Sequence, residues 1–143
     1  MSADRESQAL AERVVAGMMA RDEFSRWLGI EVVRVAPNAS TTRMTVRKEM
    51  VNGFGVAHGG IAYSLADSAL AFAANTHGNV TVAIDNGITY PAPINTGDVI
   101  TAVAELVSTT KRLSFFRVTV TNQKSETVAA FKGTVYKTEK PHL

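Results

Sequence analysis

The sequence contains no cysteine, so it can form neither a disulfide framework nor a thiolate metal site. Its three histidines, His58, His77 and His142, lack the spacing of a ligand set, and we predict no bound metal. An apolar run of about 18 residues, which a membrane-spanning helix needs, is absent, and so is the apolar core of a signal peptide. We therefore predict no membrane partner and a location in the cytoplasm.

An excess of charge of one sign is also missing. The 143 residues carry a net charge of +2, and their lysines and arginines are scattered along the chain. Because a nucleic-acid-binding domain is expected to concentrate basic residues on one face, we predict no nucleic-acid partner. Hydrophobic residues make up 45% of the chain, and no repeat, linker or low-complexity run interrupts it. These features predict a single domain over residues 1–143.

The chain divides into an N-terminal helical segment at about residues 4–27 and a core at about residues 28–138. Apolar residues such as Val14 and Met18 recur on one helix face in the first part, and Gly29 is its predicted stop. The strands of the core are predicted at residues 30–35, 41–47, 81–90, 99–107, 113–121 and 127–137. We expect Asn86–Gly87 to break the third strand, and we expect a loose tail after Thr138.

The rest of the chain is organised around residues 51–75. Residues 51–60 hold four glycines, with Asn52 and His58 as their only strongly polar side chains. Residues 61–75 are rich in alanine and leucine and apolar nearly all round, which predicts a buried helix. One curved antiparallel sheet wrapped around that helix is the compact arrangement, so we predict the α+β class.

The tripeptide His58-Gly59-Gly60 leads directly into this helix. Free N–H groups at a helix N-terminus, together with the positive end of the helix dipole, stabilise a developing oxyanion. Glycine at these positions lets a carbonyl group come close to the backbone. Gly59 and Gly60 are therefore candidates to bind a substrate carbonyl. A tight turn without a ligand is the alternative interpretation.

Asp67 is the single carboxylate of the helix. The residues that share its face are small, namely Gly60, Ser64, Ala71 and Ala74. Burial would raise its pKa and suit it for work as a nucleophile or general base. The alternative is a structural carboxylate satisfied by neighbouring hydroxyl groups.

Helix geometry constrains how Gly59 and Asp67 can act together. The two residues are eight positions apart, which corresponds to about 12 Å along a helix. A base and an oxyanion donor must both lie within about 3 Å of one reacting centre. Two antiparallel copies of the helix meet this requirement if Gly59 of one chain faces Asp67 of the other. We therefore predict a site shared between subunits and at least a dimer.

The run Asn52-Gly53-x-Gly55-x-x-His58-Gly59-Gly60, followed by Leu65-Ala66-Asp67, resembles the hotdog-fold acyl-CoA thioesterases of the PaaI type, from phenylacetate degradation. Further matches are Asp85-x-x-Ile88-Thr89-Tyr90-x-x-Pro93, Gly97-Asp98 and Lys111-Arg112. The resemblance implies a hotdog fold, a homotetramer built from dimers, and hydrolysis of acyl-CoA to a free acid and CoA. It implies no cofactor, because coenzyme A is part of the substrate.

The resemblance also implies roles for individual residues. Asp67 would be the nucleophile or general base, and the Gly59 N–H would polarise the thioester carbonyl. Asn52 would hold the attacking water or the carbonyl, and His58 would brace the loop. Some relatives carry a serine where Ala83 stands, so this chain must place the water without that hydroxyl group.

Substrate-binding residues outside the motif are harder to assign. Lys111 and Arg112 would donate charge-assisted hydrogen bonds to CoA phosphates, or they would form a solvated turn. Phe54 and Tyr90 would line an acyl pocket. An aromatic, phenylacetyl-type acyl group is expected, although medium-chain thioesters fit the same composition.

Two other functions compete with the thioesterase. A non-catalytic hotdog module that binds acyl-CoA or acyl carrier protein would have no need of a buried acid at Asp67. A hotdog dehydratase would need a catalytic histidine paired with an acid, whereas His58 lies inside the glycine motif.

Overall fold

The computed structural model describes residues 2–143 and places one helix against a single antiparallel sheet. The helices are α1 (Ala3–Arg21), α2 (Glu23–Leu28) and α3 (Gly59–Asn75), with a 3₁₀ turn at Lys48–Met50. The strands are β1 (Glu31–Ala36), β2 (Ala39–Thr45), β3 (Asn79–Thr89), β4 (Val99–Thr109), β5 (Leu113–Thr121) and β6 (Thr127–Pro141). The six strands lie in the order β1-β2-β4-β5-β6-β3. The predicted α+β class, with a central helix on a sheet, is confirmed.

The predicted N-terminal helical segment is confirmed as two helices. Asp22 lies between them and caps α2, because its side chain accepts a hydrogen bond of 2.9 Å from the Ser25 N–H. Gly29 ends α2 with φ +80°, a conformation that favours glycine. The pair of helices closes over one side of α3, where the Ser25 and Ser68 hydroxyl groups meet at 2.8 Å.

Helix α3 is buried over most of its circumference, as its composition predicts. Leu65, Leu70 and Phe72 are fully buried. One face remains half-buried in the single chain, and it contains the small residues predicted to lie beside Asp67, among them Gly60, Ser64 and Ala71. The chain therefore leaves open the helix face that carries its carboxylate.

Strand β3 is continuous, so the predicted break at Asn86–Gly87 is wrong. It pairs with β6 along its length, with Asn86 opposite Gly133 and Gly87 opposite Lys132. The two register shifts lie earlier, between Asn79 and Thr81 and between Ala83 and Asp85. An Asn-Gly pair favours a turn only where no neighbouring strand competes, and here the ladder with β6 outweighs it.

The C-terminal tail is attached to the fold, so the predicted loose end after Thr138 is wrong as far as His142. Strand β6 runs to Pro141, and the backbone N–H of His142 donates to the Gly78 carbonyl at 2.8 Å. The His142 imidazole lies 2.7 Å from Oδ1 of Asn75 at the end of α3. These contacts hold the last turn of α3 against the sheet.

The two edges of the sheet differ in how they are covered. Helix α1 reaches β1, where Nε2 of Gln8 donates to the Val35 carbonyl at 2.7 Å. Strand β3 has no neighbour on its outer side within residues 2–143, and its Val82 and Ile84 side chains are about half exposed. Such an uncovered edge is a template for pairing with another strand. Over the same residues, no helix combines the length and the apolar character needed to cross a membrane.

Candidate active site

The glycine loop before α3 is a short hairpin. Val51 and Ala57 form a β-bridge, and the Asn52 N–H donates to the Val56 carbonyl at 2.8 Å. Oδ1 of Asn52 accepts a hydrogen bond of 2.8 Å from the Phe54 N–H. Gly55, with φ +83°, makes the reversal possible. The Asn52 side chain therefore shapes the loop beside the start of α3.

Phe54 lies at the tip of this loop and lines no cavity beside Gly59 in the single chain, so its place in an acyl pocket stays a prediction. It is 93% exposed, and it does not pack beneath the loop either. The Asn52-to-Gly55 reversal points the tip away from the core, so the ring has no surface of its own chain to cover.

His58 is the N-cap of α3. Its Nδ1 accepts a hydrogen bond of 2.9 Å from the Gly60 N–H, and its own N–H donates to the Met50 carbonyl at 2.8 Å. The Gly60 N–H is therefore occupied. The Gly59 N–H has no acceptor within the part of the chain that the structure describes. It stands at the positive end of the helix dipole, where an anionic oxygen is favoured.

Tyr90 lies against Gly59. Its hydroxyl group donates to the Gly59 carbonyl at 2.8 Å. A Cβ at Gly59 would lie 2.9 Å from that hydroxyl oxygen and 3.1 Å from Cζ of the ring, so only glycine fits without displacing the ring. Burial and the nearby Tyr63 raise the pKa of the Tyr90 phenol.

A cavity of about 230 Å³ opens beside these residues. Its lining consists of Val56, Ala57, His58, Gly59, Ala62, Tyr90, Ala92, Pro93 and Ile94. Most of these side chains are apolar, and the backbone of Gly59 lies at the wall. The cavity thus offers an apolar space next to a free hydrogen-bond donor.

Asp67 lies two turns further along α3 and is half-buried. Its Oδ1 accepts a hydrogen bond of 3.0 Å from Nδ2 of Asn86. Burial raises the pKa of the Asp67 carboxyl group, the Asn86 hydrogen bond opposes this, and the charge of Asp22 adds to the rise. The partner of the carboxylate is an amide rather than a hydroxyl group, since Ser64 Oγ donates to the Gly60 carbonyl instead.

Sequence reasoning missed Asn86 and Tyr63. Nδ2 of Asn86 also donates to the Tyr63 hydroxyl group at 3.1 Å. Tyr63 could have been found, because it precedes Asp67 by four residues and so shares its helix face. Asn86 could not have been found from the sequence. Its contact with Asp67 depends on where β3 lies, and β3 is placed by pairing with β6, which is remote in the sequence.

Lys111 and Arg112 lie in the turn between β4 and β5, at the opposite end of α3 from Gly59. With His77 and Lys137 they line a depression of about 180 Å³ beyond the last turn of the helix. The 17 residues of α3 correspond to about 25 Å of helix. One chain therefore does not bring Lys111 and Arg112 to Gly59.

Comparisons with known proteins agree on the family. The sequence matches the thioesterase superfamily over residues 54–129. It is 34% identical to the acyl-coenzyme A thioesterase PaaI of Escherichia coli over 81% of this chain and 83% of that protein. It is 35% identical to human acyl-coenzyme A thioesterase 13 over 82% of this chain and 85% of that protein.

Solved structures extend the agreement to the fold. The structure of E. coli PaaI superposes with a TM-score of 0.92 at 30% identity, covering 94% of this chain and 97% of that one. A Streptococcus mutans protein bound to acetyl CoA superposes with a TM-score of 0.75 at 25% identity, covering 78% of this chain and 90% of that one. The expected hotdog fold is thereby confirmed, and the chain belongs to the thioesterase superfamily, among its hotdog-fold acyl-CoA thioesterases of the PaaI type.

Proposed function

We propose that this protein hydrolyses acyl-CoA thioesters to a free acid and CoA, with Asp67 as its reactive carboxylate. The observation that carries the proposal is the position of Asp67, half-buried on the open, small-residue face of α3 with a raised pKa. A carboxylate that is partly desolvated is a stronger base and nucleophile than one in water. Membership of a family of acyl-CoA thioesterases supplies the reaction class.

The Gly59 N–H is the proposed oxyanion donor. As the thioester carbonyl carbon becomes tetrahedral, its oxygen gains negative charge, and a fixed N–H at the start of a helix stabilises that charge. The His58 cap on Gly60 holds the first turn in place. Two routes are open at Asp67. The carboxylate either removes a proton from the attacking water, or attacks the carbonyl carbon to give an anhydride that water then cleaves. In both routes the C–S bond breaks. In the first, the proton that Asp67 took from water passes to the leaving sulfur; in the second, CoA leaves as the thiolate and is protonated by water.

We propose that the site is shared by two chains that meet along β3. Asp67 is hydrogen-bonded to Asn86 of this strand, so a second chain that paired with the free edge of β3 would approach the open face of α3. The exposed Val82 and Ile84 side chains would be covered by the same contact. Two antiparallel copies of α3 then allow Gly59 of one chain to face Asp67 of the other.

The same arrangement accounts for Lys111 and Arg112. In an antiparallel pair, the C-terminal end of one α3 lies about 12 Å beyond the point where its Asp67 meets Gly59 of the other chain. The cationic depression at that end of the helix is thereby brought toward the shared site, where it would bind CoA phosphates.

The central experiment compares wild type with Asp67→Asn on a panel of aromatic and aliphatic acyl-CoAs, with detection of released CoA. The amide keeps the size of the side chain but cannot act as a base or nucleophile. We expect kcat to fall on the order of 10²-fold or more with no loss of thermal stability. Near-native turnover by a folded Asp67→Asn protein would remove Asp67 from the mechanism.

Hybrid dimers test the shared site separately. Asp67→Asn and Gly59→Val should each be inactive, whereas a mixture that has exchanged subunits should regain activity, because one of the two sites in a hybrid is intact. Exchange is followed with differently tagged chains. Inactive hybrids of two folded, exchanging variants would contradict the shared site.

The narrower expectations stay predictions from the resemblance. They are the phenylacetyl-type acyl group, a place in phenylacetate degradation, the tetramer and the cytoplasmic location. The acyl-CoA panel tests the phenylacetyl-type acyl group, and a sedimentation measurement of mass tests the tetramer. A binding module for acyl-CoA or acyl carrier protein would bind panel members without releasing CoA.

A further inference from the structure

Asn86 joins the proposed reactive carboxylate to a tyrosine. The two hydrogens of its Nδ2 allow one bond to Asp67 Oδ1, at 3.0 Å, and one to the Tyr63 hydroxyl oxygen, at 3.1 Å. With the amide reversed, its carbonyl oxygen would face the carboxylate, which repels it. The two acceptors therefore determine which way the amide points.

The Asn86 carbonyl oxygen points to the neighbouring strand β6. Oδ1 of Asn86 is buried and accepts no hydrogen bond from residues 2–143. It lies against Gly133, the residue opposite Asn86 on β6, where a Cβ would come within 2.5 Å of Leu70 Cδ2 and 2.8 Å of Asn86 Oδ1. Glycine at position 133 thus leaves space that Leu70 and the Asn86 amide share.

Tyr63 is held in place as well. Its ring packs edge-on against Phe131, with ring centroids 5.4 Å apart and an interplanar angle of 74°. It stands one turn before Asp67 on the same helix face, so its hydroxyl oxygen is a fixed acceptor for the second N–H of Asn86. The Asn86 amide is therefore tied to two points of α3.

We propose that Asn86 is a positioning residue that holds one oxygen of Asp67 and keeps the carboxylate ionised with its other oxygen directed to the reacting centre. This proposal rests on the proposed function, since it gives Asn86 a role only through Asp67. An oxygen that accepts a fixed amide N–H has lost its rotational freedom, and a base with one defined lone-pair direction is more effective than a mobile one. The same hydrogen bond opposes the effect of burial on the Asp67 pKa.

A purely structural role for Asn86 makes a different prediction about stability. Burying a carbonyl oxygen without a partner is unfavourable, and an apolar side chain of similar size removes that penalty. Asn86→Leu removes that penalty but also loses the hydrogen bonds to Asp67 and Tyr63. Because the two effects oppose each other, the melting temperature should stay close to that of the wild type. If the activity of Asn86→Leu nevertheless falls, the Asn86 amide contributes to the reaction rather than to the stability of the fold.

The experiment measures kcat/KM against pH for wild type, Asn86→Leu, Asn86→Asp and Tyr63→Phe, using an acyl-CoA that the wild type hydrolyses. Melting temperature and mass in solution are recorded for each. For Asn86→Leu we expect an unchanged mass, a melting temperature close to that of the wild type and a loss of about tenfold or more in kcat/KM. The midpoint of the acid limb should rise by about one pH unit, since a hydrogen bond to a charged group is lost. Asn86→Asp places a second carboxylate beside Asp67 and should raise the midpoint further.

Tyr63→Phe keeps the ring on Phe131 and removes only the second acceptor, so its midpoint should move less than that of Asn86→Leu. Asp67→Asn in the same assay separates the two proposals. If Asp67→Asn is inactive and Asn86→Leu keeps the wild-type midpoint, the positioning role is overturned while the proposed function stands. A fall in activity of Asn86→Leu with a lower melting temperature and an unchanged midpoint also overturns it, in favour of a structural role. An active Asp67→Asn variant overturns both.

Discussion

The contact between Gly59 and Tyr90 allows a sharp test of the site, through the change Gly59→Ala. The new methyl group would lie 2.9 Å from the Tyr90 hydroxyl oxygen and 3.1 Å from Cζ. Because carbon atoms pack at about 3.5 Å or more, the ring must withdraw by roughly half an ångström. The backbone N–H of residue 59 remains, so the variant perturbs the wall of the cavity without removing the proposed oxyanion donor.

The effect on stability should be small. Withdrawal of the ring weakens the 2.8 Å hydrogen bond from Tyr90 to the Gly59 carbonyl, which is worth about 1 kcal/mol. Alanine in place of glycine favours the helix by up to about 1 kcal/mol. The two contributions oppose each other, so we expect the free energy of unfolding to change by less than about 1 kcal/mol. Activity should fall about tenfold, because misplacement of a substrate by a fraction of an ångström is sufficient for this.

The measurement is a double-mutant cycle of Gly59→Ala with Tyr90→Ala, following kcat/KM on the acyl-CoA panel and unfolding by denaturant. Tyr90→Ala removes both atoms that the new methyl group meets, so Gly59→Ala should then reduce kcat/KM by less than about twofold, with a coupling of about 1 kcal/mol or more. Gly53→Ala is the matched control, since nothing lies within 4 Å of a Cβ at that loop glycine. An equal loss from Gly59→Ala in both backgrounds would refute the role given to the Tyr90 contact.

Three further predictions concern the pH dependence of stability, the sheet edge and the tail. Burial raises the folded-state pKa of Asp67 above the value near 3.8 of an unperturbed carboxyl group, so its contribution to stability is lost as the pH rises through the folded pKa. Asp67→Asn should therefore be more stable than wild type near neutral pH, by up to about 1.4 kcal/mol for each pH unit that separates the folded and unfolded pKa values, with a difference that shrinks toward pH 4 in urea titrations. A constant difference would contradict this. Ile84→Lys on β3 should give a smaller mass in sedimentation and lower activity, whereas Val33→Lys on β1 should keep the dimer. Equal masses for the two would exclude the β3 edge. His142→Ala should lower the free energy of unfolding by about 1 kcal/mol through loss of its bond to Asn75, and deletion of the exposed Leu143 should not.

The order of the helices and strands could be predicted, because the tendency of a segment to form a helix or a strand depends mainly on residues close to it in the sequence. The alanine-rich helix after His58-Gly59-Gly60 appears as α3, and Gly29 ends the N-terminal helices with a positive φ. The meander of β4, β5 and β6 follows from three long strands joined by short turns. Two predictions failed, at Asn86–Gly87 and in the tail after Thr138, and both segments are held by partners remote in sequence, Gly133 and Asn75.

The proposed reactive residues were predictable for a related reason. Asp67 is the lone carboxylate of an apolar helix, and Gly59 opens that helix, so composition and helix geometry suffice to single them out. Phe54 illustrates the limit of this reasoning. Sequence proximity placed it beside the motif, but the reversal of the loop carries its ring into solvent.

The sequence by itself determined the long central helix, the glycine loop at its start, the isolated carboxylate and the conclusion that one chain cannot bring Gly59 and Asp67 together. Those properties follow from periodicity, from the flexibility of glycine and from a fixed rise per residue. Only the tertiary structure decided that Asn86 is the partner of Asp67, that Tyr90 covers Gly59 and that β3 is the uncovered edge. Strand order and cross-strand register bring residues together across long sequence separations, and no local pattern encodes which residue will stand opposite another.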